Sequence, residues 1–261
     1  MKHVRDIALA DRVLGTGQGP LVCVPLVGRN RDDILREAAT VAGLAPDLIE
    51  WRADFFAGVA ATDDVLALLG EIRATAQGIP LIFTLRSPGE GGESVALDDA
   101  GVTQLCVDVC GSGLAALIDV EMRAPGDRVE SVRAAAQSNA TRLVLSYHDF
   151  AATPDREALQ DRFCRAESLG ADIAKVAVMP RDLGDVLTLL EATVEASQTI
   201  RIPLISIAMG PIGALTRVLG WYFGSAVTFA SGAEESAPGQ LTVKAMREVL
   251  QVLGKHVPNV S

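Results

Sequence analysis

Lys175 lies in the middle of Asp172-Ile173-Ala174-Lys175-Val176-Ala177-Val178, a run of small and apolar residues. Burial disfavours an ammonium ion and lowers a lysine's pKa. The neutral amine then attacks a carbonyl carbon and forms a Schiff base. The structural alternative is a lysine paired with Glu50 or Glu121. His148 closes a second apolar run, Leu143 to His148. An imidazole there can give or take a proton near neutral pH. Its structural alternative is a core histidine bonded to Asp119 or to a backbone carbonyl. The remaining histidines, His3 and His256, lie near the termini. Arg217 is the only charged residue between Ile202 and Ala233. A guanidinium in such surroundings can grip a carboxylate with two hydrogen bonds, unless it merely extends to the surface.

These residues need elements to hold them. Eight short apolar runs recur: Leu21–Val27, Leu48–Arg52, Leu81–Arg86, Ala116–Met122, Leu143–His148, Ile173–Met179, Leu204–Met209 and Ala226–Ala230. Their composition suits parallel strands covered on both faces. Segments with apolar residues at three- and four-residue spacing separate them: 32–42, 63–77, 97–110, 128–139, 154–169, 183–197, 211–219 and 240–253. These read as helices. Thr153 is the expected N-cap of the fifth, with Pro154 in its first turn and Gly170 just past its end. Eight alternating units predict a closed α/β fold, a (β/α)₈ TIM barrel forming one domain over 1–261. Residues 1–19 are expected to cover its bottom. The rival is an open doubly wound sheet. It would carry a Gly-rich phosphate turn after its first strand, and Val27-Gly28-Arg29-Asn30-Arg31 has none.

Alternation along the strands sorts the side chains into two faces. Ile49, Trp51, Leu81, Phe83, Leu85, Leu143, Leu145, Tyr147, Ala174, Val176 and Val178 belong to the face that meets the helices. The opposite parity carries Glu50, Arg52, Thr84, Arg86, Asp119, Glu121, Ser146, His148 and Lys175. Charge from five strands therefore points into one barrel. Burying unpaired charge costs several kcal/mol per ion, so the groups must pair, or work, or both. In such barrels the active site lies at the C-terminal strand ends, where Arg52, Arg86, His148 and Met209 stand.

Composition narrows the partners. With 23 Lys and Arg against 33 Asp and Glu, the formal net charge is −10. That sign repels nucleic acid and anionic membranes. Pro203, Gly210, Pro211, Gly213, Gly220 and Gly224 break the long apolar stretch too often for a membrane helix. Cys23, Cys106, Cys110 and Cys164 are too few for a disulfide scaffold and read as buried thiols, with no metal site. The N-terminus runs into charge without an apolar signal core, so a cytoplasmic location is expected. The residues alone point to a cofactor-independent enzyme that forms an imine on a small anionic carbonyl compound.

The motifs resemble those of the type I 3-dehydroquinate dehydratases. They are Glu50-Trp51-Arg52-Ala53-Asp54, Thr84-Leu85-Arg86-Ser87 with Glu90-Gly91-Gly92-Glu93, Ser146-Tyr147-His148-Asp149-Phe150, the Lys175 segment, Met209-Gly210 leading to Thr216-Arg217, Phe223-Gly224-Ser225 and Ser236-Ala237-Pro238-Gly239-Gln240. They occur in family order along nearly the whole chain. The resemblance implies dehydration of 3-dehydroquinate to 3-dehydroshikimate, the third shikimate-pathway step. It implies Lys175 as the imine-forming residue, His148 as general base and acid, and Glu90 as the carboxylate that assists it. Glu50, Arg52, Arg86, Arg217, Ser236 and Gln240 would bind substrate, Arg217 holding its carboxylate. Asp119 would be a partner of His148. The family works without metal or cofactor, as homodimers. Pro25 and Tyr147 depart from residues found in some members, serine and asparagine respectively. The alternative is a class I aldolase acting on a small keto acid, which also uses a barrel lysine. A non-catalytic anion-binding barrel would keep Arg217 and lose the lysine–histidine pair.

Overall fold

A computed structural model describes residues 4–15, 19–232 and 240–256. Ser236, His3 and the side chain of His256 lie outside the described residues.

A short antiparallel hairpin, β1 (Ile7–Leu9) and β2 (Arg12–Leu14), precedes eight strands that pair in parallel. These are β3 (Leu21–Leu26), β4 (Leu48–Arg52), β5 (Leu81–Thr84), β6 (Leu117–Glu121), β7 (Arg142–Asp149), β8 (Ile173–Val178), β9 (Leu204–Ala208) and β10 (Val227–Phe229). The hydrogen-bonded order is β10-β3-β4-β5-β6-β7-β8-β9. The ends meet where Ala226 N–H donates to the Leu204 carbonyl at 2.8 Å. The result is the expected (β/α)₈ barrel.

The helices are α1 (Arg31–Gly43), α2 (Thr62–Thr75), α3 (Asp99–Ser112), α4 (Gly126–Ser138), α5 (Arg156–Ser168), α6 (Leu183–Thr199), α7 (Ala214–Leu219) and α8 (Val243–His256). Asn30, Asp98, Asp155 and Asp182 start α1, α3, α5 and α6 by accepting a backbone N–H with the side chain. Asp155, rather than Thr153, caps α5. The helix begins at Arg156, just past Pro154, and the Asp155 side chain accepts the Ala158 N–H at 2.8 Å. Gly170 follows α5 in the left-handed region, as expected. The long apolar stretch is divided among β9, α7, a 3₁₀ turn at Gly220–Phe223 and β10. Among the described residues no helix is long and apolar enough to cross a membrane.

The helix-facing parity is as read from the sequence. Ile49, Trp51, Phe83, Leu145, Ala174, Val176 and Val178 are fully buried against the helices. Trp51 and Phe83 pack edge to face, 5.6 Å between ring centres. Inside the barrel, Leu48, Ile82, Leu117, Val144, Ile173, Ile205 and Val227 form a separate apolar cluster. Ile7, Leu9 and Leu14 of the hairpin join it and close the bottom. A void of only about 10 Å³ remains there.

Cys106 and Cys110 are buried on α3, and burial pushes their thiols up to about 12 and about 11. Cys164 is exposed, contrary to expectation. It follows the buried Phe163 on α5 by one residue, a turn of about 100° that carries it off the buried face.

Candidate active site

One layer above the apolar plug, the inward parity becomes polar. Lys175 on β8 is 5% exposed. Its Nζ donates to Asp119 Oδ2 at 3.0 Å and to Glu50 Oε1 at 3.3 Å. The Phe229 ring lies 4.9 Å from the same nitrogen, within cation–π range. Thr84 Oγ1 donates to Glu50 Oε1 at 2.9 Å. Of the two carboxylates read as structural partners of Lys175, Glu50 is in contact and Glu121 is not. Burial alone lowers the lysine's pKa, but the Asp119 and Glu50 carboxylates outweigh it and hold Lys175 above its ordinary value. The neutral resting amine expected from burial is therefore corrected. The resting group is an ammonium ion, because two carboxylates share its cavity.

Arg86 ties this cradle to the next cluster. Its guanidinium reaches Asp119 at 2.9 Å, Glu121 at 3.3 Å and Glu90 at 3.7 Å, and donates to Ser146 Oγ at 2.8 Å. Ser146 in turn donates to Asp119 Oδ1 at 2.6 Å. Asp119 is fully buried, yet the Arg86 and Lys175 cations hold its carboxyl below the usual range. β5 ends at Thr84, two residues short of the expected Arg86. The chain turns outward there, and a 3₁₀ turn, Pro88–Glu90, begins.

That turn delivers Glu90 to His148. Glu90 Oε2 accepts the His148 backbone N–H at 3.0 Å and lies 2.9 Å from Nδ1. With Nδ1–H donating to Glu90, Nε2 is left as the basic nitrogen. Asp119 does not bond His148 directly: it bonds Lys175, Arg86 and Ser146 and reaches the imidazole through its charge. Glu90 fills the role because the turn folds back over β7. The turn requires glycine: Gly91 has φ +83°, and a Cβ there would stand 2.3 Å from the Phe150 ring. A Cβ on Gly92 would stand 2.0 Å from the Arg86 carbonyl oxygen.

The electrostatics of this pair are reciprocal. Burial, with Glu121 adding its charge, pushes Glu90 up to about 8. Burial, with the Arg86 and Lys175 cations nearby, pulls His148 well below its ordinary 6.5. Around neutral pH the pair holds a proton on the carboxyl side and a neutral imidazole.

The remaining expected residues are distributed around this centre. Arg52 makes a bidentate pair with Asp54, 2.8 Å for each bond. Asp54 also accepts the Arg86 and Glu93 backbone N–H groups, so it pins β4 to the Glu90 turn. Arg217 on α7 is buried and donates to the Phe229 carbonyl at 3.3 Å. Its Nε has no partner among the described residues, and burial draws the guanidinium below its ordinary value. Such a group is prepared for an anion. Gln240 stands beside the end of β10, where Ser231 N–H donates to the Leu241 carbonyl at 2.9 Å. Tyr147 faces the helices, between Arg123 and Arg162 at 4.6 and 4.9 Å. Asp54 and Ser146 have no role in the sequence reading, and Glu121 has one only as a partner of Lys175. Parity along the strands was the available signal for Ser146 and Glu121, whereas Asp54 lies in the 3₁₀ turn beyond β4.

The sequence model described as type I 3-dehydroquinase matches residues 22–257. A 3-dehydroquinate dehydratase of Albidiferax ferrireducens is 50% identical over 255 residues, covering 98% of this chain and 97% of that one. The crystal structure of 3-dehydroquinate dehydratase from Geobacillus kaustophilus superposes with a TM-score of 0.94 at 44% identity, covering 98% and 100% of the two chains. A type I enzyme from Clostridium difficile, with covalently modified comenic acid, superposes with a TM-score of 0.94 at 38% identity, covering 97% and 100%.

Proposed function

The chain belongs to the type I 3-dehydroquinase family of hydro-lyases, and from that premise we propose that it dehydrates 3-dehydroquinate to 3-dehydroshikimate through an imine on Lys175, with His148 moving the protons. The single observation that carries this reading is that the Lys175 amine and the Glu90-bound His148 imidazole are both buried on the inward parity of adjacent paired strands, two residues apart in register.

The steps follow from the charges. Neutral His148 takes a proton from the Lys175 ammonium, and the amine adds to the ketone carbon. The imidazolium returns that proton to the oxygen, the carbinolamine nitrogen gives up a second, relayed through His148, and the oxygen leaves as water while a protonated imine remains. The imine carries the same single positive charge as the ammonium it replaces. The Glu50 and Asp119 carboxylates that hold the resting lysine therefore also stabilise the intermediate.

His148 then removes a proton from the carbon beside the imine carbon, and the electron pair moves onto the positive nitrogen. The resulting enamine expels the hydroxyl group, which takes the imidazolium proton and leaves as a second water. A new carbon–carbon double bond is conjugated with the imine. One water hydrolyses the imine, releases the enone and restores the ammonium, so the net loss is one water.

Arg217, with its unpartnered Nε, suits the substrate carboxylate. Arg52 and Arg86 orient the ring hydroxyls from positions fixed by Asp54, Asp119 and Glu121. Glu50, Gln240 and Ser236, the last outside the described residues, complete the proposed binding set. A class I aldolase would share the lysine, but family membership favours dehydration. The same reading includes a homodimer in the cytoplasm and one domain over 1–261.

The test is to incubate the protein with 3-dehydroquinate and borohydride and locate the adduct by peptide mass spectrometry, while following the conjugated product by ultraviolet absorbance. Product together with a reduced adduct on Lys175 is expected. Product formed by a Lys175→Ala variant at a near-normal rate overturns the mechanism.

A further inference from the structure

We propose that Glu121 is a positioning residue of the reaction, acting through Ser87 to hold the 3₁₀ turn that presents Glu90 to His148. Glu121 ends β6, with its side chain 10% exposed. Oε1 accepts the Ser87 backbone N–H at 2.8 Å, and Oε2 accepts Ser87 Oγ–H at 2.7 Å. Oε1 also meets Arg86 at 3.3 Å. Ser87 is the residue from which the turn hangs. Its carbonyl accepts the Glu90 N–H at 3.0 Å and the Gly92 N–H at 2.8 Å. A single carboxylate on β6 therefore fixes both the entry to the turn and its closing bonds, while Glu90 at the turn's end reaches β7.

The surroundings show why hydrogen bonds must do this. β5 and β6 pair only as far as Thr84 and Asp119. Beyond that register no ladder bond joins Leu85–Ser87 to β6. The strands splay, and a cavity of about 250 Å³ opens between them and α3, lined among others by Arg86, Ser87, Val95, Val102, Cys106 and Glu121. Packing does not brace the turn from that side. Glu121 itself lines that cavity.

The inference rests on the role proposed above for Glu90, and the experiment separates the two. Steady-state constants are measured for the wild type, Glu121→Ala, Glu121→Gln, Ser87→Ala, Glu90→Gln and the double variant Glu121→Ala/Glu90→Gln, each checked by thermal unfolding. Losing the bonds from a charged acceptor to one turn is expected to lower kcat by about tenfold in Glu121→Ala, with KM changed far less. Glu121→Gln keeps an oxygen acceptor for Ser87 and is expected to recover most of that loss. Ser87→Ala, which removes one bond and no charge, is expected to show a smaller loss of kcat and to fold normally. In the Glu90→Gln background, Glu121→Ala is expected to cost little, because the group it positions is gone. Equal fold losses in both backgrounds overturn the positioning role while leaving that of Glu90 intact. A Glu90→Gln enzyme with unchanged kcat overturns both readings. A loss in Glu121→Ala confined to KM overturns this inference alone.

Discussion

The lower and upper layers of the barrel interior are built on the same strands, two residues apart, and have opposite chemistry. β4 turns Leu48, then Glu50, inward; β5 turns Ile82, then Thr84; β6 turns Leu117, then Asp119; β7 turns Val144, then Ser146; β8 turns Ile173, then Lys175. The rise between layers is about 6.6 Å. Below, apolar side chains and the hairpin exclude water, and each side chain stabilises the fold by leaving it. Above, every charge has surrendered hydration and is compensated only by its partners. Stability and chemistry are therefore assigned to adjacent floors. The apolar floor supplies the low-dielectric base against which the Lys175, Asp119 and Glu50 charges interact strongly. Substitutions in the two layers should consequently fail in different ways.

The sharpest break is expected at Lys175. Lys175→Ala removes the atom that becomes covalent, so the borohydride adduct disappears and kcat falls by at least about 10⁴-fold, measured by absorbance of the conjugated product. His148→Ala comes next. It is expected to lower kcat by about 10²–10⁴-fold while peptide mass spectrometry still finds an adduct on Lys175. Lys175→Ala leaves the buried Asp119 and Glu50 carboxylates without their ammonium and should also unfold at a lower temperature, whereas His148→Ala should unfold near the wild-type temperature.

The lower layer should give the reverse. Ile82→Ala is expected to cost about 2–5 kcal/mol of stability in denaturant unfolding, with kcat of the folded protein close to normal. A large kcat loss there would join the two layers and break the distinction. Arg217→Ala, at the rim, removes charge-assisted bonds to an anion and is expected to raise KM by about 10- to 100-fold with a smaller effect on kcat.

The smallest effect sharpens the electrostatic side. In the native state the Glu90–His148 pair holds one proton, with Glu90 at about 8 and His148 well below 6.5. Between the ordinary values, 4.5 for a glutamate and 6.5 for a histidine, the unfolded pair also holds one, so stability should not vary there on this account. From 6.5 to about 8 the unfolded pair has lost its proton and the native pair keeps it. The native state then binds more protons, and stability falls as pH rises, by about 1 kcal/mol per pH unit. Unfolding free energies of the wild type relative to Glu90→Gln across this range check the sign. A difference that grows in the wild type's favour with rising pH contradicts the assigned shifts.

Much of the fold was legible because its signals are local. Eight apolar runs and the helical spacings between them placed every barrel strand, since strand and helix periods are written in consecutive residues. The misreadings arose where a through-space neighbour decides. The α5 cap moved to Asp155 because its side chain reaches Ala158. β5 ended at Thr84 because the Asp54 and Glu121 carboxylates capture the backbone N–H groups of Arg86 and Ser87 just beyond it. Cys164 fell on the wrong side of a narrow apolar stripe.

The sequence by itself determined which side chains enter the barrel, because alternation along a strand assigns faces without reference to anything distant. It placed Lys175, His148, Glu50, Arg86 and Asp119 on one interior surface. Only the tertiary structure decided what those groups are. Lys175 rests as an ammonium because Asp119 and Glu50, 56 and 125 residues away, bring their charges to it. His148 is neutral and Glu90 protonated because a turn 58 residues distant folds one against the other in a buried chamber. Periodicity is a property of neighbours in the chain, whereas ionisation is set by neighbours in space and by the water they exclude.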